Sequence, residues 1–240
     1  MIQCAFPWLL ALLLTGQICG AEARGIFAEG RAFDMENDTL LYTEQHIRLT
    51  DAQHTVLYRD GQGRLFAEKR LDFTHSRIAP EVIQQDRRTG ELISVSRQPE
   101  GKTLKVIYRQ NSDLDTQYAT LPLNSQRVID AGFDHFVRSR RSEIETMGPI
   151  SFQYLLPSRQ KDIRLQVERA ECRESDNTCF TITPAAWLYR MLASAIHLEY
   201  DNDSGCLVRF RGKSNISDAS GRFRTMEIHY THSDSCQQAE

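Results

Sequence analysis

The chain has 240 residues, of which 40% are hydrophobic and 25% are charged. Its 29 lysines and arginines stand against 32 aspartates and glutamates, so the formal net charge at pH 7 is only −3. This balance lacks the basic excess of nucleic-acid-binding proteins, and we expect no nucleic-acid partner. The length is sufficient for one large domain with its own core.

The first segment of the chain has the features of a secretory signal. An apolar run from Phe6 to Leu14 is followed by small residues that end in Ala21-Glu22-Ala23. Such a run before an A-x-A site is typical of a signal peptide cleaved after Ala23, and it is shorter than the ~20 residues of a membrane-spanning helix. We therefore predict a cleaved signal peptide over 1–23 and a single β-rich domain over 24–240.

This signal predicts a bacterial protein of the periplasm or the secreted fraction, with no transmembrane segment in the mature chain. No Lys or Arg precedes the apolar run, although signal peptides usually begin with a positively charged region. A lipoprotein signal at Cys19 and an uncleaved anchor therefore remain alternatives.

Turn motifs divide most of the chain into segments of strand length, and Asp60-Gly61-Gln62-Gly63 is one example. Apolar residues alternate in several segments, as at Ile150, Phe152 and Tyr154. Alternation with short turns is typical of antiparallel strands that bury one face. The predicted strands are Leu40–Leu49, Thr55–Arg59, Arg64–Phe73, Glu91–Ser96, Leu104–Arg109, Ile150–Leu156, Ile163–Val167, Ile196–Tyr200, Leu207–Phe210 and Phe223–Tyr230.

Two segments have helical periodicity instead. In RVIDAGFDHFVRSRR, which spans Arg127–Arg141, apolar residues recur every fourth position and form a stripe of helical width. In Pro184–Leu192, Thr183 is a suitable N-cap and Pro184 a suitable first helical residue. The sequence thus predicts a mainly β (α+β) fold, in which a single curved antiparallel meander sheet or half-barrel is covered by one or two short helices.

The cysteines indicate disulfide bonds. Removal of the signal peptide leaves Cys172, Cys179, Cys206 and Cys236, an even number in an exported chain. Turn-forming residues lie midway between Cys172 and Cys179, and a second predicted hairpin turns at Asp218–Gly221 between the other two. These hairpins favour the pairs Cys172–Cys179 and Cys206–Cys236.

No metal site is predicted. The chain has no C-x₂-C pair, and the only close histidine pair, His229-x-x-His232, lies on a predicted strand. His197 and Glu199 share one strand face, but two potential ligands do not define a metal site.

Catalytic chemistry is weakly indicated. Asp134 and His135 are adjacent on the predicted first helix, where consecutive side chains diverge by about 100° and do not face each other. No G-x-S-x-G motif supplies a nucleophile. We therefore predict no catalytic residues, no cofactor and no enzyme activity. On another strand, Tyr42, Glu44 and His46 share a face, which either lines a cavity or meets solvent.

The segments EGRAFDMENDTLLYTEQHI, VLYRDGQGRLFAEKRLDF, DAGFDHFV, FQYLLPSR, IHLEYDNDSG and GKSNISDASG together resemble a family of uncharacterised exported bacterial proteins. The resemblance extends from about Gly30 to Tyr230 and includes no catalytic motif. More distantly, the plan is similar to the lipoprotein-carrier half-barrels of the LolA/LolB kind. That similarity implies a curved sheet capped by helices over an apolar cavity, with a lipid or lipoprotein acyl chain as partner.

The resulting hypothesis is an exported protein that binds an apolar or acyl ligand between sheet and helices. The aromatic and apolar candidates for lining such a site are Phe133, Phe136, Phe152, Tyr154, Trp187 and Met191; the same six residues are also candidates for an ordinary core. The alternative is an envelope structural or interaction module that binds a partner through a sheet edge or the Arg138–Arg141 cluster. The oligomeric state is not predicted.

Overall fold

The computed structural model describes residues 25–186, 195–234 and 236, in which fifteen strands form one sheet. The predicted signal peptide over 1–23 lies outside these residues, as do Trp187 and Met191. Within the described ranges, no helix has the length and apolar character needed to cross a membrane.

The first meander contains eight strands: β1 (Gly25–Asp34), β2 (Leu40–Arg48), β3 (Gln53–Asp60), β4 (Leu65–Asp72), β5 (Glu81–Asp86), β6 (Leu92–Arg97), β7 (Thr103–Arg109) and β8 (Gln117–Pro122). Then follow β9 (Arg127–Val128), the helices α1 (Gly132–Ser139) and α2 (Arg141–Met147), β10 (Ile150–Leu156) and a 3₁₀ turn at Pro157–Arg159. The second meander continues with β11 (Lys161–Ala170), β12 (Asn177–Pro184), β13 (Ile196–Asp201), β14 (Leu207–Ser217) and β15 (Phe223–His232).

The two meanders join in the middle of the sheet, where β1 pairs with β15 in antiparallel register. Gly30 lies opposite Tyr230 in this register, and a Cβ atom on Gly30 would lie 2.7 Å from the Tyr230 ring. The glycine therefore makes room for the aromatic ring that crosses the junction. The predicted mainly β fold with a curved antiparallel sheet and short helices is confirmed.

The curvature follows from the connection between the two edge strands. β8 and β9 are the two edge strands of the sheet. β8 ends at Pro122 and β9 begins at Arg127, so a very short segment connects one edge to the other. The Arg127 guanidinium donates to the Pro122 carbonyl oxygen at 2.8 Å and binds Asp162 through two nitrogens at 2.7 and 2.8 Å. The edges are therefore close, although no pairing between β8 and β9 closes the sheet in the described ranges.

The concave face carries most of the core, in two clusters. The first lies mainly on the first meander, with Val56, Phe66 and Val106, and also includes Leu155 from β10 and residues of β14 and β15. The second lies between the helices and β10–β13, and includes Val137 and Phe180. Because a β10 residue belongs to the first cluster, the far edge of the sheet packs against the first meander.

The predicted first helix is shorter than expected. Val128 lies in β9, where it pairs with Tyr154 in parallel register, and α1 begins only at Gly132. Between them, Asp130 has a φ of 43° and breaks the helical path. The helical prediction over Arg127–Arg141 was therefore wrong before Gly132. Beyond Ser139, the chain turns at Arg140 into α2, which the sequence analysis did not anticipate.

The predicted start of the second helix was also wrong. Thr183 and Pro184 belong to β12, with Thr183 paired to Gln166 and Pro184 to Leu165 of β11. Thr183 is therefore a strand residue and not an N-cap. Residues 187–194 lie outside the described part of the chain.

Both predicted disulfides are confirmed. Cys172 is bonded to Cys179 across the β11–β12 turn, and Cys206 is bonded to Cys236 beyond the β14–β15 hairpin. The predicted turn of that hairpin is also present, because the Gly221 amide donates to the Asp218 carbonyl oxygen at 2.9 Å.

Candidate functional site

The contact between α1 and the sheet is formed by two of the predicted ligand-lining aromatics. The rings of Phe136 on α1 and Phe152 on β10 lie 4.7 Å apart between centroids, and the residues are only 8% and 5% exposed. Val137 beside them is fully buried. This pair fills the space between helix and sheet and is therefore part of the core.

A more open apolar surface lies next to this contact. Phe133 on α1 is half-buried, and its ring centroid lies 6.4 Å from that of Phe210 on β14. Tyr154, Leu165 and Ile196 are also half-buried and pack against the second core cluster. We call these five residues (Phe133, Tyr154, Leu165, Ile196 and Phe210) the apolar row. Two of the six predicted lining residues, Phe133 and Tyr154, belong to it.

The centre of the concave face is polar and buried. Glu44 on β2 accepts a hydrogen bond from the Tyr230 hydroxyl at 3.1 Å, and the Nε2 atom of His46 lies 3.0 Å from the same carboxylate oxygen. The Tyr42 hydroxyl lies 3.4 Å from the Ser214 hydroxyl. The face shared by Tyr42, Glu44 and His46 is thus turned inward, with Tyr42 and Glu44 buried and the His46 side chain 23% exposed.

The tyrosines of this polar centre remain protonated. Burial, together with the negative charge of Glu44, raises the pKa of Tyr42, Tyr58 and Tyr230 well above the usual value. Their hydroxyls therefore act as hydrogen-bond donors at neutral pH and do not become phenolate nucleophiles. The cluster has the chemistry of a structural polar network more than that of a catalytic centre.

A second buried polar group lies on the first meander. Lys69 forms an ion pair with Asp130, and the Nε2 atom of Gln84 donates to the Asn215 carbonyl oxygen at 2.9 Å. Glu91 is 2% exposed, and its Oε2 atom has no hydrogen-bond partner in the described structure. Burial, with the charge of Asp86 beside it, raises the pKa of Glu91 to about 7.

Asp134 and His135 do not form a catalytic couple. The Asp134 carboxylate accepts from the Tyr200 hydroxyl at 3.1 Å and from Nε of Arg138 at 3.0 Å. The His135 ring packs on Phe73, with centroids 5.1 Å apart, and its Nδ1 atom lies 3.2 Å from the Arg138 guanidinium. The two side chains therefore have separate structural partners, as expected for adjacent positions on a helix.

The arginines at the end of α1 are paired within the molecule. Arg138 binds Asp134, Arg140 binds Glu143 at 2.7 Å, and Arg141 binds Glu145 at 3.1 Å. A cluster whose charges are already compensated in this way has little free positive charge to offer a partner.

The convex face carries an ion-pair network beside the first disulfide. Arg209 on β14 contacts Glu199 at 3.3 Å and Glu227 at 3.7 Å, and Asn177 donates to Glu199 at 2.7 Å. Arg209, Glu199 and Glu227 line a shallow depression of about 150 Å³, together with the exposed His197. Since the charges satisfy one another, the depression has the character of a solvated sheet face.

Comparison of the chain with protein-family models, with curated proteins and with solved structures found no match.

The sequence analysis missed the buried polar residues of the first meander. Gln84 and Asp86 alternate with Ile83 on β5, and Ile83 is 47% exposed whereas the two polar residues are almost fully buried. A face that carries a glutamine and an aspartate is normally assigned to solvent, so hydropathy alone gives the wrong orientation for this strand. The one sequence signal for the correct orientation is Val82, an apolar residue that lies on the same buried face as Gln84 and Asp86.

Proposed function

We propose that the protein is an exported binding protein that holds an apolar or acyl ligand on the apolar row beside α1. The observation that carries this proposal is the half-buried state of Phe133, Tyr154, Leu165, Ile196 and Phe210 on the concave face. Apolar side chains on a concave surface that the core does not fill are the usual lining of a ligand site.

The arrangement of the aromatics favours a chain-like ligand along the helix edge over one deep beneath the helix. Phe136 and Phe152 occupy the space under α1, so a ligand there would have to displace a packed aromatic pair. Phe133 and Phe210 are less buried and present their rings at the border of the contact. Burial of each methylene of an acyl chain contributes about 0.8 kcal/mol, so a few contacts along the row suffice for measurable affinity.

The electrostatics of the row agree with an uncharged ligand segment. Tyr154 is the one row residue with a polar terminus, and burial together with the charge of Asp130 raises the pKa of its hydroxyl. The hydroxyl thus stays neutral and can donate to a carboxyl or ester oxygen of an acyl ligand. Predicted export and the predicted similarity to lipoprotein carriers point to the same ligand class.

Native mass spectrometry of protein purified from its own compartment tests the proposal, with titration calorimetry against fatty acids and lysophospholipids. We expect a bound acyl species and an affinity that falls about tenfold in Phe133→Ala, equivalent to about 1.4 kcal/mol. Tyr118→Ala, at a 64% exposed tyrosine on the β8 edge, is the matched control and should bind normally. Only ligand-free mass together with no heat from either lipid class would refute the proposal.

A further inference from the structure

A separate cluster of potential metal ligands lies where the last strand ends. The sulfur atoms of Cys206 and Cys236 and a ring nitrogen of His232 all lie within 4.8 Å of one another. Cys206 immediately precedes β14 and is 1% exposed, and His232 is the last residue of β15. Cys206 is remote in sequence from His232 and Cys236, which is why motif spacing did not predict the cluster.

His232 is oriented as a metal-binding histidine is. Its Nε2 atom lies 2.8 Å from the Leu207 carbonyl oxygen, which only accepts, so Nε2 carries the proton. The unprotonated Nδ1 atom then faces the Cys236 sulfur at 3.7 Å. In metal sites, the ligating imidazole commonly donates its other N–H to a backbone carbonyl, which fixes both tautomer and ring orientation.

The nitrogen–sulfur separation also suits a tetrahedral metal ion. Zinc bond lengths of about 2.0 Å to nitrogen and about 2.3 Å to sulfur place neighbouring ligand atoms roughly 3.6 Å apart. The Nδ1–Sγ distance of 3.7 Å is close to that value. Two thiolates and one imidazole form a ligand set that suits Zn²⁺ or Cu⁺ and leaves a fourth position open.

Cys236 is held in place by contacts other than its disulfide bond. Its amide donates to the Ser204 carbonyl oxygen at 2.9 Å, and its carbonyl oxygen accepts from the Arg138 guanidinium at 2.8 Å. Arg138 is itself bound to Asp134 at 3.0 Å. The backbone at Cys236 therefore keeps these anchors when the sulfur–sulfur bond is broken.

We propose that Cys206, His232 and Cys236 bind a thiophilic metal ion in the reduced protein, and that the Cys206–Cys236 disulfide is the metal-free oxidised form. A dithiol reductant supplies two electrons and two protons, its own sulfurs become a disulfide, and the two protein cysteines become thiols. A divalent ion such as Zn²⁺ then displaces both thiol protons and binds two thiolates and Nδ1 of His232. Oxidation and metal binding thereby exclude each other at one pair of sulfurs.

The test uses the predicted mature chain, residues 24–240, carrying Cys172→Ser and Cys179→Ser, so that Cys206 and Cys236 are its remaining cysteines. The protein is reduced anaerobically and titrated with Co²⁺, whose tetrahedral thiolate complexes have strong charge-transfer absorption, and then with Zn²⁺ in competition with a chromophoric chelator. We expect one metal ion per chain in the reduced protein, none in the oxidised protein, and a rise in Tm when Zn²⁺ is added.

His232→Ala and His232→Gln identify the site, and His229→Ala on the same strand is the matched control because His229 is exposed. Loss of a hydrogen-bond partner of a metal ligand typically weakens metal binding about tenfold or more. Loss of the His232 ligand itself should therefore weaken Zn²⁺ binding by at least about tenfold. The proposal is overturned if reduced, folded protein shows no cobalt–thiolate absorption. It is equally overturned if both His232 variants bind Zn²⁺ as tightly as the His229 control, or if the oxidised protein binds it as tightly as the reduced protein.

Discussion

Lys69 and Asp130 form an ion pair across the concave face, with Nζ of Lys69 2.7 Å from one carboxylate oxygen and 2.9 Å from the other. Lys69 lies on β4 of the first meander, and Asp130 lies in the turn between β9 and α1. The pair thus connects the first meander to the segment that leads into the helices. Lys69 is 2% exposed, so the Asp130 carboxylate replaces water around its ammonium group.

Asp130→Asn is expected to destabilise the fold by about 3 kcal/mol, because it removes the carboxylate that is ion-paired with the buried Lys69 ammonium. Asparagine tolerates the positive φ at this position, so backbone strain does not confuse the result. Urea unfolding measures the loss, and Glu143→Gln in the exposed Arg140–Glu143 pair is the control, with an expected change under about 0.5 kcal/mol. The double variant with Lys69→Met should be more stable than Asp130→Asn alone; equal loss in both would contradict the argument.

Gly132→Ala should destabilise the start of α1. A Cβ atom at this glycine would lie 2.0 Å from the Ile78 carbonyl oxygen, so helix and loop would have to separate. We expect a loss of about 3 kcal/mol, at the upper end of overpacking costs. Gly61→Ala is the control, because nothing lies within 4 Å of its Cβ position and alanine lowers the entropy of the unfolded chain. Urea unfolding that placed the two variants within error of each other would disprove the steric argument.

The predicted strands succeeded where apolar residues alternate with polar ones. Ile150–Leu156 has the predicted limits, and β2 differs from its prediction by a single residue. Both disulfide pairs could be predicted for the same reason, since each depends on a local hairpin that turn residues specify. These features are encoded within short stretches of chain.

The missed strands depend on partners that are remote in sequence. β1 buries Ala28, Gly30 and Ala32, small residues that lie beneath larger side chains of β2 and β15 and carry little hydropathy signal. β8 is an edge strand in which only Ala119 and Leu121 are partly buried, so its inward face is short and carries little hydropathy signal. The sequence also could not show that Phe133 belongs to the apolar row and Phe136 to the core. The two residues occupy similar positions in the helical pattern, and they differ only in which residues of the sheet lie opposite them.

Phe136→Ala and Phe133→Ala should separate stability from binding. Phe136 stacks on Phe152 in the core, and its truncation should cost about 4 kcal/mol of unfolding free energy. Phe133 is half-buried, so its truncation should cost about 1 kcal/mol. Urea unfolding measures both values. If Phe133→Ala proved as destabilising as Phe136→Ala, Phe133 would be a core residue and the apolar row would lose its central member.

Glu91 gives the protein a specific pH dependence. Its pKa in the folded state is about 7, against an ordinary value of 4.5, chiefly because burial disfavours the charged carboxylate. The folded state therefore binds more protons at this site than the unfolded state does between these two pH values. Its contribution to stability is fully present below about pH 4.5 and is lost as the pH rises through about 7, by roughly 3 kcal/mol in total.

Comparison of wild type with Glu91→Gln isolates this contribution from other titrating groups. His54 acts in the opposite direction, because burial and the charge of Arg48 lower its pKa to about 4, and the variant leaves that effect unchanged. Urea unfolding at pH 5 and pH 8 should show that Glu91→Gln is stabilising relative to wild type at pH 8, where Glu91 is ionised in the folded state. The advantage should shrink by about 2–3 kcal/mol at pH 5, where the wild-type carboxyl is protonated. A difference between the two proteins that stays constant with pH would show that Glu91 titrates normally and that its carboxyl group has partners in solution.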